Sequence, residues 1–246
     1  MFKIDIVPYT LKFKRPAGTS RGVYLEHKVW YLCVINSEDR SHFGIGECAP
    51  LQDLSCDFSD DYEKQLISFC RITEEKQFVD STLLKNYPSI LFGLETAMRH
   101  YQQGSWQLWN TPFSRGEKGI NINGLIWMGD FAEMKNRIET ALGKGFRCIK
   151  LKIGAIDFNK ELELLKFIRK QFTPKELEIR VDANGGFSFE DALEKLNQLA
   201  NLGIHSIEQP IKTGMWEEMA FLCKNRSIPI ALDEELIGIN NYYEKD

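Results

Sequence analysis

The chain has 246 residues, 43% of them hydrophobic and 27% charged, which is a globular composition with room for one large domain or two ordinary ones. A net charge of −4 with no basic tract gives no footing for nucleic acid or for an anionic membrane surface. No run approaches the ~20 apolar residues of a membrane span, and the opening MFKIDIVPYTLKFKRP alternates where a signal peptide would be continuously apolar. The six cysteines (Cys33, Cys48, Cys56, Cys70, Cys148 and Cys223) show neither CxxC nor metal-finger spacing. They read mostly as buried thiols of a reducing, cytoplasmic setting.

Residues 3–14, 23–35 and 40–48 alternate polar and apolar side chains, with NSED at 36–39 as a turn; this predicts an antiparallel meander. Ser59, followed by Asp60 and Asp61, predicts a helix start, with the helix running to about residue 71. Pro88 opens a second helix that ends at Gly104. The segment NTPFSRGEKG, 110–119, is the expected linker, giving an α+β domain over 1–115 and a second domain over 116–246.

From there one unit recurs: a short apolar strand, a turn and an amphipathic helix. INGLIW (122–127) precedes a helix over 130–142, and CIKLKIG (148–154) precedes one from Asp157 to Phe172. LEIRVDANGG (177–186) is followed by a helix from Ser188, HSIEQPI (205–211) by one from Met215, and PIALDEEL (229–236) opens a fifth unit. Alternating strands and helices with short connections predict right-handed crossovers and a parallel sheet. Neither GxGxxG nor GxxxxGK[ST] follows any strand, which favours a barrel over a nucleotide-binding sheet.

The charges sit at one end of these strands. Lys150 and Lys152 share a face near the end of the second, and Asp182, Glu208 and Asp233 end the next three, at spacings of 30, 26 and 25 residues. One such acid reads as a helix cap; three in consecutive units converge on the rim where barrel active sites are built. Three carboxylates without cysteine or histidine suit Mg²⁺, with Mn²⁺ as its substitute, rather than zinc. A lysine beside a second ammonium and a dication has a depressed pKa and works as a base, and the metal stabilises the enediolate left when a carboxylate substrate loses its α-proton. A Schiff-base lysine is the competing chemistry, but it has no use for three acids. His205, at odd spacing from Glu208, is expected to face the helices; His27, His42 and His100 have no partner motif.

These motifs, K-x-K (Lys150, Lys152), VDANGGF, IEQP and LDEEL, resemble the enolase superfamily in its muconate-lactonizing subgroup. The resemblance implies an enolase-type (β/α) barrel of the (β/α)7β kind behind an α+β capping domain. By it, Lys152 is the acid/base catalyst and Lys150 its electrostatic neighbour. Asp182, Glu208 and Asp233 are then the magnesium ligands, supported from behind by Asn184 and Glu234, with Arg180 orienting Asp182. RGVYLEHKVWYL, GIGECAPLQDLS and NGLIWMGD are similar to the o-succinylbenzoate synthase family of menaquinone biosynthesis. That implies a lyase performing Mg-dependent syn-dehydration of 2-succinyl-6-hydroxy-2,4-cyclohexadiene-1-carboxylate, with Thr19, Ser20, Arg21 and Leu51 on loops that cover the substrate. Dipeptide epimerases and N-acylamino-acid racemases of the same superfamily are the alternative, and a non-catalytic barrel fragment a further one. Family members carry another lysine on a sixth barrel strand. The 246 residues reach only the fifth, so the expectation is a barrel incomplete at its C-terminus and inactive by itself.

Overall fold

The computed structural model describes residues 1–19, 22–127 and 129–241. Two compact units divide the chain: Met1–Ile120 together with Ile237–Asp246, and Asn121–Leu236.

In the first unit, β1 (Phe2–Thr19), β2 (Gly22–Asn36) and β3 (Phe43–Cys48) form an antiparallel sheet in that order. The predicted alternation is present from Trp30 on: Trp30, Leu32 and Val34 of β2 are buried with Tyr31, Cys33 and Ile35 less so, while Val29 before them is buried as well. The strands β1 and β2 run longer than their alternation suggested, with a register break between Lys12 and Ala17. The helices α1 (Tyr62–Lys76) and α2 (Pro88–Gln103) supply Leu66, Ile90 and Leu94 to the same core. Pro88 starts α2 and Gly104 ends it in a left-handed conformation, φ +63°, as expected. The helix α1 corrects the expectation at both ends. Ser59 offers only its carbonyl, to the Tyr62 N–H, so the helix begins at Tyr62 and continues five residues past Arg71, until Gln77 turns left-handed. Gly44 and Gly46 let β3 lie directly on α2; a Cβ at Gly46 would run into the Gly93 carbonyl, and one at Gly44 into that of Ala97. His100 is a core histidine, 4% exposed, whose Nδ1 accepts the Ile45 N–H at 3.0 Å.

The second unit alternates strand and helix throughout: β4 (Gly124–Ile126), α3 (Phe131–Gly143), β5 (Cys148–Lys152), α4 (Phe158–Arg169), β6 (Glu178–Asp182), α5 (Phe189–Asn201), β7 (Ser206–Glu208), α6 (Trp216–Asn225) and β8 (Ile230–Ala231). A 3-10 turn, Glu234–Leu236, follows. The five strands are parallel and their order in the sheet is their order in the chain. This is a (β/α)-barrel arc of five strands among the described residues. Side-chain caps fix three of the helix starts: Asp130 in a capping box with Glu133, Asp157 and Ser188. Outward-facing Ile149, Leu151, Ile179, Val181 and Ile207 meet Leu164, Leu165, Leu196 and Leu222 of the helices in one continuous core.

The cysteines are less uniformly buried than expected: Cys48 and Cys70 are buried, Cys33, Cys148 and Cys223 half-buried, and Cys56 exposed, all as free thiols. No helix among the described residues is long and apolar enough to cross a membrane.

Candidate active site

The side chains of β5 alternate, so Ile149, Leu151 and the following Ile153 enter the core while Lys150 and Lys152 leave by the opposite face. The register then aligns the neighbours. Lys152 lies opposite Asp182, Asp182 opposite Glu208, and Glu208 opposite Ala231. Charges at the ends of three adjacent strands therefore stand ~4.8 Å apart along the sheet, within reach of one another.

They form one network. Lys152 Nζ donates to Asp182 Oδ2 at 2.6 Å and to Asn184 Oδ1 at 2.8 Å. Lys150 Nζ lies 2.9 Å from the same Asp182 oxygen and donates to Glu208 Oε1 at 2.6 Å. Asp182 is fully buried, and its other oxygen accepts the Asn184 N–H at 3.0 Å. Asn184 takes φ +44°, and its Nδ2 donates to Glu234 Oε1 at 2.9 Å. The two residues expected behind the ligands are thus linked to each other and, through Asn184, to Lys152.

Burial pushes the Asp182 carboxyl up, but hydrogen bonds from Lys152 and Lys150 outweigh it and hold the group below the usual carboxylate range. Glu208 is raised, first by burial and then by the adjacent Asp182, against the pull of Lys150. Burial draws Lys150 down, yet its bonds to Glu208 and Asp182 prevail and its pKa is raised. At Lys150 two acids on neighbouring strands thus outweigh burial.

Other expected residues are placed differently. Arg180 shares a face with Asp182, but its exposed guanidinium turns back along the strand, Nε 2.6 Å from Glu178 Oε1; the lysines, not Arg180, orient Asp182. Asp233 precedes the 3-10 turn, its carbonyl accepting the Leu236 N–H at 2.9 Å, and its side chain is exposed. His205 is at the N-terminal end of β7, against Ser206 at 2.9 Å and Glu178 at 4.0 Å, rather than packed among helices. In the first unit, the Leu51 carbonyl accepts the Leu54 and Ser55 N–H groups in a turn. The Thr19 backbone pairs with Gly22, while Ser20 and Arg21 lie outside the described residues.

The donor set fits a hard cation in kind. Lys150 stands in for one, its ammonium held jointly by Asp182 and Glu208. Glu234 Oε2 nearby in the network is buried without a hydrogen-bond partner. The gathering stops at two of the three expected ligands, because among the described residues no three acidic, histidine or cysteine side chains are assembled as a metal cage. Pattern reading passed over Gln209, Glu235 and Glu161. All three are buried and hydrogen-bonded to the loops that follow the site strands. The one available signal was a glutamine held between a strand-end acid and a proline.

Charged groups meeting at the C-terminal ends of consecutive parallel strands, in a chain that also carries an antiparallel α+β unit, define the class: the chain belongs to the enolase superfamily. A family model, Enolase C-terminal domain-like, matches residues 133–244. Within the superfamily, the chain goes with the o-succinylbenzoate synthases. It is 41% identical to o-succinylbenzoate synthase of Desulfotalea psychrophila over 93% of its own length and 70% of that protein's. The crystal structure of MenC from Desulfotalea psychrophila superposes with a TM-score of 0.77 at 35% identity, covering 96% of this chain and 72% of that one. The fold is shared with o-succinylbenzoate synthase from Thermosynechococcus elongatus, complexed with Mg in the active site, at a TM-score of 0.75 and 20% identity, covering 99% and 73%. A hydrophobic dipeptide epimerase of Roseobacter litoralis is 25% identical over 94% of this chain and 68% of that protein.

Proposed function

We propose that these residues form the site of an o-succinylbenzoate synthase that removes the α-proton of 2-succinyl-6-hydroxy-2,4-cyclohexadiene-1-carboxylate and assists the departure of hydroxide. The observation that carries this reading is the shared network of Lys150, Lys152, Asp182, Asn184 and Glu208 at the ends of β5, β6 and β7, in a chain 41% identical to such a synthase. Lys152, last in the K-x-K pair and nearest the strand end, takes the proton on Nζ in its neutral form and returns it to the leaving hydroxyl. Lys150, on the same strand face, is its electrostatic neighbour and stabilises negative charge on the substrate carboxylate. Asp182, Glu208 and Asp233 hold Mg²⁺, or Mn²⁺ in its place, and Asn184 and Glu234 fix Asp182 and Lys152 from behind. When bound, the metal supplies positive charge to the substrate carboxylate, making the neighbouring proton more acidic. Thr19, Ser20, Arg21 and Leu51 remain the proposed substrate contacts of a capping domain over 1–115, and the cytoplasm the proposed compartment.

The test is conversion of that substrate to succinylbenzoate with magnesium present, alongside solvent deuterium uptake at the α-carbon of dipeptides. Dehydration without dipeptide exchange supports the synthase. Exchange into dipeptides without dehydration establishes the epimerase reading, which the similarity to the Roseobacter litoralis enzyme favours.

A further inference from the structure

Gln209 follows Glu208 at the end of β7 and precedes Pro210, a position that favours extended backbone. It takes φ +40° instead and is only 1% exposed. Both ends of its side-chain amide are in use. Oε1 accepts the backbone N–H groups of Asp233 at 3.2 Å and Glu235 at 3.4 Å, and Nε2 donates to the Ile211 carbonyl at 3.1 Å and to Glu235 Oε2 at 3.0 Å. Glu235, itself 5% exposed, accepts the Gly214 N–H on its other oxygen at 2.8 Å. The Gln209 backbone also joins three strand ends, its N–H donating to the Ala231 carbonyl at 2.9 Å and its carbonyl accepting the Gly185 N–H at 2.7 Å. Glycine would adopt this φ with no steric cost but would supply none of the side-chain bonds. A strained conformation kept by a residue whose amide is fully engaged points to a role for that amide.

We propose that Gln209 is a positioning residue: its amide, braced by Glu235, sets where the chain after β8, and so Asp233, stands relative to Glu208. The inference rests on the reading of these two acids as ligands of one cation. Glu208 and Asp233 belong to different strands. Glu208 ends the strand that Gln209 follows, and Asp233 is gripped by the Gln209 side chain through its own backbone N–H. A single side chain thereby fixes the separation of the two carboxylates.

The experiment is amide hydrogen exchange and Mn²⁺ titration, followed by the metal's spin-resonance signal, on the full 246-residue chain. Gln209→Leu and Gln209→Gly remove the amide; Gln209→Leu keeps bulk and Gln209→Gly suits the backbone, so the glycine variant decides should the leucine variant fail to fold. Exchange at the Asp233 and Glu235 amides should accelerate about tenfold or more while β5 and β6 keep their protection, and Mn²⁺ affinity should fall about tenfold. Gln209→Glu sets a second carboxylate against Glu235 and should be worse; adding Glu235→Gln returns a donor to the pair and should recover protection and affinity together. A packing role would not be rescued by that exchange of charge. Unchanged protection at Asp233 and Glu235 in Gln209→Gly, or unchanged Mn²⁺ affinity once protection is lost, overturns the proposal. A wild-type chain that binds no Mn²⁺ overturns the cation reading instead, and the exchange rates at Asp233 and Glu235 then decide by themselves whether Gln209 positions this segment.

Discussion

Glu161 offers a sharp test of how the loop after Lys152 is held. It sits in the first turn of α4, 2% exposed, and one oxygen accepts the N–H groups of Gly154, Ala155 and Ile156 at 2.7, 3.3 and 3.4 Å. The other oxygen is buried with no partner. Burial pushes this acid from the ordinary 4.5 to about 7, although the three N–H groups and Lys195 pull the other way. The folded state therefore holds the proton more tightly than the unfolded chain. Folding is unpenalised below 4.5, loses stability as pH rises from 4.5 to about 7, and carries a constant cost above that. A difference of ~2.5 in pKa at ~1.4 kcal/mol each is about 3.5 kcal/mol in full, of which about 2.5 kcal/mol develops between pH ~5 and pH ~8. Glu161→Gln keeps an oxygen for the three N–H groups and cannot ionise. Urea unfolding of both proteins at pH ~5 and pH ~8 should show the variant gaining about 2.5 kcal/mol on wild type across the interval. Parallel pH dependence in the two proteins would refute the reasoning, because it would mean that Glu161 ionises in the fold as easily as in water.

Three further expectations concern the site and its frame. Wherever the wild type turns the substrate over, Lys152→Ala should lower the rate by ~10³-fold or more while leaving circular dichroism and unfolding midpoint near wild type; near-normal turnover, with Lys150→Ala inactive, would reverse the two roles. Glu208→Gln should weaken Mg²⁺ binding at least ~10-fold by calorimetry, since a carboxylate ligand loses its charge; an unchanged affinity removes Glu208 from the ligand set. Gly46→Ala should destabilise the first unit by about 1–3 kcal/mol in denaturant unfolding, because the methyl group meets the Gly93 backbone rather than a side chain that can swing aside.

Much of the site was visible in the sequence because two periodicities carry it. Alternation along a strand put Lys150 and Lys152 on one face, and the recurring β/α unit placed Asp182 and Glu208 at neighbouring strand ends. Periodicity assigns a face but not a partner. Arg180 shares its face with Asp182 and with Glu178, and only the fold shows that the guanidinium chooses Glu178. The same limit applies to Lys150, whose raised pKa depends on distances to acids one and two strands away. Gln209 and Glu235 were illegible for another reason: their bonds join residues 26 positions apart across two strand ends and need a left-handed backbone that the following proline argues against. The start of α1 was missed because Ser59 and two aspartates imitate a cap, while the first helical turn forms three residues later.

The order of the parallel sheet has a consequence for how the protein is made. Every strand from β5 to β8 pairs with the one synthesised just before it. Lys152 and Asp182 are 30 residues apart, and Lys150 and Glu208 58. No part of the lysine–acid network waits for a distant segment, so each loop closure is short and its entropic cost modest. Translation at ~5–20 residues per second delivers one β/α unit every few seconds, far slower than helix formation or loop closure. The ammonium of Lys152 can thus meet Asp182 before β7 docks, and Glu208 of β7 then arrives at an edge that already carries Lys150.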